Sequence, residues 1–394
     1  MAQVVGKALG IVYCPTANAG YPLNVTKLRV LALVPGAYRS GGGIAQYNRD
    51  LFSAMAASSL IKEVIVLSLE FGAGEKYRLP PKVVHMSTPR TRAGYAIEAV
   101  RLAAQRPRYD IVFCGHIHLL AMAALVALIV RAKVWLQVHG VEAWKRPSYF
   151  ARCAARRCDL VTAVSRFTRA EMIRRWWRHE PSKIRILPNT LNKTFAPGPK
   201  SRELVDRYRL QGRRVMLTIS RVTRGDNYKG HDRIITVLPR IIARVPNVSY
   251  LIVGCGDGLD DLKRFVLQAG LQQNVVFAGH VEDDELADHY RTADAFVMPS
   301  TGEGFGIVFI QAAACGLPVV GGCVDGSWDA LREGRIGQAI DPRDDTELVN
   351  AIIAALTTNR YDPQKAHDAF DFLNFEKHVA CLLKSIVAAP GDYV

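Results

Sequence analysis

Short runs of consecutive apolar residues alternate along the chain with longer stretches in which apolar positions recur at helical spacing. Continuous apolar runs are typical of strands buried in a parallel sheet, and the stretches between them are typical of the helices that cover it. In the first half these runs lie at Lys27–Gly36, Glu63–Glu70, Lys82–Ser87, Tyr109–His116, Lys133–Gly140, Leu160–Ser165 and Lys183–Asn189. In the second half they lie at Val215–Arg221, Val248–Gly256, Val275–His280, Ala295–Ser300, Pro318–Gly322 and Gly337–Asp341. The pattern predicts an α/β fold with doubly wound parallel sheets.

Helical spacing is clearest at four places between and after these runs, which are Ile44–Ala57, Arg233–Arg244, Asp284–Tyr290 and Phe375–Val387. The chain has 394 residues, more than one ordinary core accommodates, so we expect two domains. The Pro/Gly-rich stretch Phe195–Ser201 reads as the linker between them. We predict an extension over 1–26, a first domain over 27–194, a linker over 195–201, a second domain over 202–372 and a terminal helical segment over 373–394.

The segment Pro299–Gly322 predicts a strand–loop–helix–strand unit whose glycines lie at the N-terminal mouth of the helix. Free backbone N–H groups and the positive end of the helix dipole converge at such a mouth, which suits a phosphate. Glu303 lies in the same mouth. A carboxylate is not needed to bind phosphate and indicates hydroxyl groups beside it, so the segment favours a nucleotide sugar over a purely structural turn.

The same residues resemble the signature of the retaining family 4 glycosyltransferases, in which E-G-F-G is followed by a second glutamate and then by A-x-x-C/S-G-x-P-V-V. The chain reads Glu303-Gly304-Phe305-Gly306-Ile307 and continues to Gln311, which replaces the second glutamate. The resemblance implies the GT-B fold, two Rossmann-like domains that face each other across a cleft. It also implies that the last helix packs back on the first domain.

Two cations are predicted to neutralise the leaving diphosphate. Arg221 ends the first strand of the second domain, and Lys229 precedes the next helix, so both point to the carboxyl edge of the sheet. They match the Arg…Lys-Gly pair of the family, and fixed cations there do the work that a metal does elsewhere. We therefore expect no metal and no cofactor besides the nucleotide-sugar donor.

The remaining donor contacts follow from the resemblance. It places two glycine turns and the 304–307 loop near the donor phosphates and sugar, residue 281 beside the base, and residue 311 on the ribose. The donor-binding residues expected on this basis are Gly42, Gly43, Gly254, Gly256, Val281, Gly304, Phe305, Gly306, Ile307 and Gln311.

The first domain is expected to contribute histidines. His139, followed by Gly140 and Glu142, resembles the His-Gly-x-Asp/Glu motif of the family, and its imidazole can hydrogen-bond a sugar hydroxyl. With Arg221, Lys229 and Glu303 it completes the predicted catalytic set. His116 and His118 also follow a strand and, with Glu142, are candidates for the acceptor side. We assign no protein nucleophile, and expect the leaving phosphate to act as the base.

Charge divides the chain into unlike halves. The net charge is +15, with 30 Lys/Arg against 10 Asp/Glu in residues 1–200 and 21 against 26 in the remainder. A basic first half suits an anionic membrane surface, and an amphipathic helix over Arg166–His179, with Trp177 on its apolar side, is one way to reach it. The alternative is a surface helix whose apolar side packs on its own sheet.

Other sequence features bear on where the protein works. The longest apolar stretch, around Leu119–Val130, falls short of the roughly 20 residues that span a bilayer. The eight cysteines lack zinc-site spacing, and Cys114, Cys255, Cys315 and Cys381 fall in apolar runs, which favours buried, reduced thiols. Residues 1–26 are expected to be a loose extension rather than an export signal. We therefore expect a cytoplasmic protein, peripheral to the inner face of the plasma membrane.

The preferred hypothesis is a retaining hexosyltransferase that moves a sugar from a UDP- or GDP-sugar to a hydroxyl of a lipid-linked or envelope glycan. A basic nucleic-acid-binding protein is an alternative, but no binding motif appears and the acidic half does not fit. A nicotinamide-dependent dehydrogenase lacks the ribose-binding acid after Gly41–Gly43. A non-catalytic homologue stays open because of Gln311.

Overall fold

A computed structural model describes residues 27–70, 76–87, 91–105, 108–225, 227–358 and 361–387. The predicted extension over residues 1–26 lies outside these ranges. The described chain forms two α/β domains, each with its own parallel sheet and its own covering helices. The predicted fold class is confirmed.

The first sheet has seven strands, all parallel, in the order β3-β2-β1-β4-β5-β6-β7. Its strands are β1 (Leu28–Val34), β2 (Ile61–Ser68), β3 (Val83–Ser87), β4 (Ile111–Cys114), β5 (Lys133–Val138), β6 (Leu160–Ala163) and β7 (Ile184–Ile186). The helices are α1 (Gly43–Ala57), α2 (Arg92–Ala104), α3 (Leu120–Val130), α4 (Val141–Trp144), α5 (Tyr149–Ala155) and α6 (Arg166–Arg175). Strands β4 and β6 are buried along their whole length because helices cover both faces of the sheet.

The second sheet has six parallel strands in the order β10-β9-β8-β11-β12-β13. Its strands are β8 (Arg214–Ile219), β9 (Val248–Val253), β10 (Val275–Gly279), β11 (Ala295–Met298), β12 (Val319–Gly322) and β13 (Gln338–Ile340). The helices are α7 (Arg202–Arg207), α8 (His231–Ile242), α9 (Leu259–Gln268), α10 (Leu286–Thr292), α11 (Ile307–Ala314), α12 (Ser327–Ala330) and α13 (Asp345–Thr357).

Two final helices, α14 (Gln364–Phe370) and α15 (Phe372–Val387), carry the chain back to the first domain. The Phe375 ring meets the Tyr47 ring of α1 edge-on, with centroids 6.1 Å apart. The Phe370 carbonyl accepts hydrogen bonds from the Thr190 hydroxyl at 2.8 Å and the Leu191 N–H at 3.0 Å. These contacts hold the two domains together. The domain boundaries given above stay predictions.

All predicted strands are present, but several are shorter than the apolar pattern suggested. The pattern extended β4 to His116, β5 to Gly140 and β9 to Gly256, whereas the strands end at Cys114, Val138 and Val253. At each of these ends the backbone leaves the sheet to form a loop at its carboxyl edge.

The structure decides between the two interpretations of Arg166–His179 and corrects the expectation that all four cysteines of the apolar runs are buried. Helix α6 ends at Arg175, and the Trp177 side chain is fully buried in the first core, where its indole donates to the Glu180 carbonyl at 3.0 Å. Of the two interpretations of Arg166–His179, the surface helix that packs on its own sheet is therefore the correct one, and it spans Arg166–Arg175. Among the cysteines of the apolar runs, Cys114 and Cys315 are buried, but Cys255 is exposed and Cys381 is half-buried. Within the described ranges, no helix is long and apolar enough to cross a membrane.

Candidate active site

The carboxyl edges of the two sheets face each other, and the predicted site residues lie on the loops between them. In the second sheet the strand order reverses between β8 and β11, and in the first sheet it reverses between β1 and β4. Such reversals open a crevice at the carboxyl ends of the strands. Arg221 follows β8, Glu303 follows β11, Gly42 follows β1 and His116 follows β4, so one crevice brings them together.

The loop that carries Glu303 is held in place by Asp325, a residue that the sequence did not single out. The buried Asp325 carboxylate accepts from the Glu303 N–H at 2.7 Å, the Ser300 hydroxyl at 2.9 Å and the Ser327 N–H at 2.8 Å. Burial raises the pKa of Asp325 to about 6. The Gly326 N–H donates to the Glu303 carbonyl at 2.8 Å and completes the clamp.

Glu303 is buried and forms an ion pair with Lys229. The two residues belong to loops after different strands, and the loops are packed together because Thr301 N–H donates to the Tyr228 carbonyl at 2.9 Å. A side chain at Gly230 would stand 2.6 Å from the Pro299 carbonyl oxygen, so only glycine allows this approach. The pair places one fixed cation beside the carboxylate that is expected to hold sugar hydroxyls.

Arg221 is exposed at the start of the loop that carries Lys229, next to the glycine turn after β9. The Val222 N–H donates to the Cys255 carbonyl at 3.0 Å. Gly254 has φ +139°, and a Cβ there would stand 1.8 Å from the Ser220 carbonyl oxygen. The turn therefore requires glycine for close backbone packing, and this packing positions Arg221 at the mouth of the crevice.

His231 packs beneath the loop that carries Arg221, and the sequence did not single it out as a site residue. Its ring nitrogens lie 2.8 Å from the Ser220 hydroxyl and 2.9 Å from the Tyr250 hydroxyl. Burial lowers the pKa of His231 to about 4, so the ring is neutral and bridges two hydroxyl groups. Its position after Lys229 and Gly230 gave no signal, because Tyr250 belongs to the neighbouring strand.

Gln311 lies in α11 and contacts residues of both domains. Its amide oxygen accepts from the Tyr290 hydroxyl at 3.0 Å, and its amide nitrogen lies 3.2 Å from the side-chain oxygen of Gln46 in α1. The side chain is buried. Both halves of the amide are thus engaged, and a ribose that reached residue 311 would have to replace Gln46.

Two other expected donor residues, Phe305 and Val281, have side chains that are buried in the core. The Phe305 ring packs edge-on against Phe370 with centroids 5.6 Å apart, and Val281 is buried. Ile307 is half-buried and packs against the same core. A donor could meet Phe305 and Val281 only through their backbones. Gly306, with φ +82°, directly precedes α11, and no side chain of the described residues caps the helix there.

The glycine loop of the first domain lies across the crevice from α11. A Cβ at Gly43 would be 3.7 Å from an Ile307 methyl group, and a Cβ at Gly41 would be 3.0 Å from Asp283. Gly42 has φ +94° and open space around its Cα. Arg49 stacks on the Tyr77 ring at 3.7 Å and pairs with Asp283 at 3.3 Å, which anchors this loop to the second domain.

The two domains also approach each other closely where His139 and Gly140 of the first meet Gly304 of the second. A Cβ at Gly304 would stand 1.8 Å from the His139 carbonyl oxygen. The Gly304 carbonyl accepts from the Ser165 hydroxyl at 2.6 Å and from the Thr168 hydroxyl at 3.2 Å. Beside them the Arg166 N–H and guanidinium both donate to Asp329 at 2.5 Å. The backbone of His139 is thereby held against Gly304, the residue that follows Glu303, although the two segments lie far apart in sequence.

The His139 ring is partly buried and neutral. It lies edge-on to Tyr47, and its Nε2 is 3.2 Å from the Gly115 carbonyl. Burial lowers the pKa of His139 to about 4, so Nε2–H donates to the carbonyl and Nδ1 keeps its lone pair for a hydroxyl donor.

The acceptor-side candidates have local partners. Glu142 accepts from the N–H groups of His139 at 2.5 Å and Gly140 at 3.1 Å, which makes it a cap of the loop after β5. The His116 and His118 rings are 4.7 Å apart, and His118 is exposed. All three lie near His139, on the first-domain side of the crevice. In the described part of the chain, no cluster of His, Cys, Asp and Glu could hold a metal ion.

Each half of the chain matches a glycosyltransferase family. The family described as Glycosyltransferase Family 4 matches residues 41–195, and the family described as Glycosyl transferases group 1 matches residues 208–369. Two relatives are named GDP-mannose-dependent alpha-(1-6)-phosphatidylinositol monomannoside mannosyltransferase. The one from Mycobacterium tuberculosis is 31% identical over 71% of this chain and 71% of its own length. The one from Mycolicibacterium smegmatis is 34% identical over 59% of this chain and 62% of its own length.

Solved structures show the same fold. Anabaena HepE, solved in complex with UDP and glucose, has a TM-score of 0.72 and 21% identity, covering 91% of this chain and all of that chain (100%). A glycosyltransferase from Rickettsia africae has a TM-score of 0.72 and 18% identity, covering 92% of this chain and 100% of its own. The two parallel sheets, the facing loops and these matches agree, and the chain belongs to the retaining glycosyltransferases of family 4, with the GT-B fold.

Proposed function

We propose that this protein transfers mannose, with retention, from GDP-mannose to a hydroxyl of a membrane lipid whose headgroup contains inositol. The observation that carries the proposal is the pairing of a buried Glu303–Lys229 site with relatives named for GDP-mannose and a phosphatidylinositol mannoside. The sugar of the donor is held by Glu303, and the diphosphate faces Arg221 and Lys229.

The residues divide the chemistry between the two domains. Lys229 leaves Glu303 or is shared with the diphosphate as the donor binds, and with Arg221 it stabilises the negative charge that develops on the leaving oxygen. Glu303 accepts hydrogen bonds from sugar hydroxyls. Nδ1 of His139 accepts from another hydroxyl of the same sugar, from the opposite wall. The leaving phosphate takes the proton of the acceptor hydroxyl, so no protein nucleophile is assigned.

Metal independence belongs to this proposal, since two cations already face the diphosphate. So does attachment to the cytoplasmic side of the membrane, where nucleotide sugars are made and where the basic first domain would be attracted to anionic lipids. Exposed apolar side chains on α2 and α3, including Ile97 and Leu128, support such a contact.

We expect the purified protein to incorporate radiolabelled mannose from GDP-mannose into a phosphatidylinositol-containing lipid fraction, in the presence of a chelator. UDP-glucose under the same conditions serves as the matched control donor. Transfer from UDP-glucose and not from GDP-mannose would overturn the donor assignment. A soluble glycan labelled in preference to lipid would overturn the acceptor assignment.

Gln311→Glu should tighten GDP binding by about 1 kcal/mol, roughly fivefold, with little change in kcat. A carboxylate accepts from both ribose hydroxyls, whereas the amide offers one acceptor oxygen and one donor nitrogen. The gain is kept small because one oxygen of the new carboxylate still accepts from the Tyr290 hydroxyl.

Calorimetric titration with GDP measures this effect, and Gln46→Ala is the matched control. It frees the nitrogen of Gln311 without adding charge, so we expect a smaller gain than for Gln311→Glu. Unchanged GDP affinity in Gln311→Glu would show that residue 311 does not contact the ribose. A wild-type protein that binds no nucleotide sugar at all would instead indicate a non-catalytic homologue.

A further inference from the structure

An open cavity of about 250 Å³ lies on the first domain between the loop after α4, helix α5 and the end of α6, and none of the predicted site residues lines it. Five arginines and two aromatic rings line it, and we call this set of seven residues the arginine bowl. The lining residues are Arg146, Arg152, Arg156, Arg175, Arg178, Trp176 and His179. No role in sugar transfer uses any of them.

The positive charge of the bowl is poorly compensated. None of its lining residues is acidic. Within the described ranges, Glu171 is the carboxylate that pairs with a bowl arginine, Arg175, and Glu171 is shared with Arg174 outside the bowl. Several guanidinium groups in one concavity repel one another, so an anion that bridges them relieves this repulsion. Guanidinium groups also match the oxygens of a phosphate in pairs.

The bowl is held in shape without a ligand. Arg152 donates to the Pro147 carbonyl at 2.9 Å, and Arg178 donates to the Arg174 carbonyl at 3.2 Å. The Trp176 indole donates to the Ala143 carbonyl at 2.7 Å. These bonds use backbone acceptors and leave further guanidinium N–H groups for an incoming anion, since each arginine carries five donors.

The rim of the bowl suits a lipid surface rather than bulk water. Tyr149 and Phe150 of α5 are 67% and 74% exposed, and Arg152 lies 5.9 Å from the Tyr149 ring. Helix α5 packs against α3, whose Leu125 and Leu128 are also exposed, at 53% and 60%. Aromatic rings beside arginines are typical of side chains that settle at a membrane interface.

Helix α6 connects the bowl to the crevice. Its N-terminal end holds the Gly304 carbonyl through Ser165 and Thr168, and its last residue, Arg175, lines the bowl. The helix has 10 residues and is therefore about 15 Å long. A headgroup bound in the bowl would thus keep the bilayer close to the place where a lipid acceptor must enter.

We propose that the arginine bowl binds the phosphate group of an anionic phospholipid headgroup and anchors the first domain on the membrane. This proposal rests on the proposed function in one respect, the lipid acceptor, which explains why the enzyme would need such an anchor. It differs from a diffuse electrostatic attraction because it requires the concave arrangement, not only the net charge.

The test is flotation of the full chain with vesicles of phosphatidylcholine alone and of phosphatidylcholine mixed with phosphatidylglycerol. We compare Arg156→Glu and Arg178→Glu, inside the bowl, with Arg157→Glu, an exposed neighbour that does not line it. All three variants make the same change of charge. A basic residue at an anionic surface contributes about fivefold in affinity, so each bowl variant should weaken binding to the anionic vesicles at least tenfold, and Arg157→Glu by no more than about threefold.

Equal losses in all three variants would overturn the proposal in favour of diffuse attraction. Equal binding of the wild type to neutral vesicles would overturn it as well. A third result against it is loss of inorganic phosphate binding in Arg156→Glu with vesicle binding intact, which would identify a soluble ligand. Titration with GDP-mannose separates this proposal from the proposed function, because the bowl variants should bind the donor as the wild type does.

Discussion

Arg221→Ala and Lys229→Ala are each expected to lower kcat by about 10²–10³-fold, since each removes a positioned cation from the charge that develops on the leaving diphosphate. Lys229 is held against the buried Glu303, and Arg221 stands at the mouth of the crevice beside Gly254. Mannose transfer under saturating donor measures the effect. The same assay in a chelator should leave the wild-type rate unchanged.

Arg224→Ala is the matched control for this pair. Arg224 belongs to the same loop but pairs with Asp261 at the surface, at 2.8 Å, so its removal should leave turnover within about twofold. Lys229→Ala also leaves the Glu303 carboxylate without its partner, so thermal unfolding must be followed, and Lys229→Arg separates loss of charge from loss of packing. Near-wild-type turnover in both Arg221→Ala and Lys229→Ala would refute the diphosphate site. A chelator that abolishes activity, with recovery on adding metal, would show that the leaving group is neutralised by an ion.

Gly304→Ala is expected to reduce turnover at least a hundredfold while leaving the fold of each domain intact. The added Cβ would lie 1.8 Å from the His139 carbonyl oxygen and 2.9 Å from the Gly140 Cα. Both obstacles are backbone atoms of the other domain, which cannot move aside as a flexible side chain would. The domains would be held apart, and His139 would be withdrawn from the sugar on Glu303, a misplacement that costs about a hundredfold or more.

Turnover, thermal unfolding and GDP binding together test this expectation. We expect turnover to fall while the melting temperature and nucleotide affinity stay close to those of the wild type, because the closest atoms to the new Cβ all belong to the first domain. Gly225→Ala is the control, since a Cβ there meets nothing within 4 Å and needs no unusual φ. Turnover within threefold of wild type in Gly304→Ala would mean that the reaction does not use this approach of His139 to Gly304.

The parts of the site that the sequence predicted are those coded by neighbouring residues. Glu303, Gly304 and Gly306 form one contiguous loop before one helix, and the residue types alone indicate a phosphate mouth with a carboxylate. Arg221 and Lys229 follow a strand and precede a helix, so the parallel sheet brings them to its carboxyl edge without further information. Their roles in the reaction stay predictions for the experiments above.

The supporting residues could not be found in this way. Asp325 holds the Glu303 N–H from 22 positions further along the chain, and Ser165 reaches Gly304 across 139 positions. Neither lies in a pattern that distinguishes it from an ordinary turn or helix cap. Helical spacing alone could not show whether the apolar side that includes Trp177 faces a core or a membrane, and α6 ends before Trp177.

By itself the sequence determined the alternation of strands and helices, the presence of two α/β domains, and the position of the Glu303 loop before a helix, because these depend on apolar periodicity and on adjacent residues. Only the tertiary structure decided which side chains meet across the crevice. It paired Lys229 with Glu303, set Gln311 between Tyr290 and Gln46, and joined Gly304 to His139. Such contacts depend on the relative placement of two separately packed sheets, and that placement is set by contacts between residues far apart in the chain, which no short stretch of sequence contains.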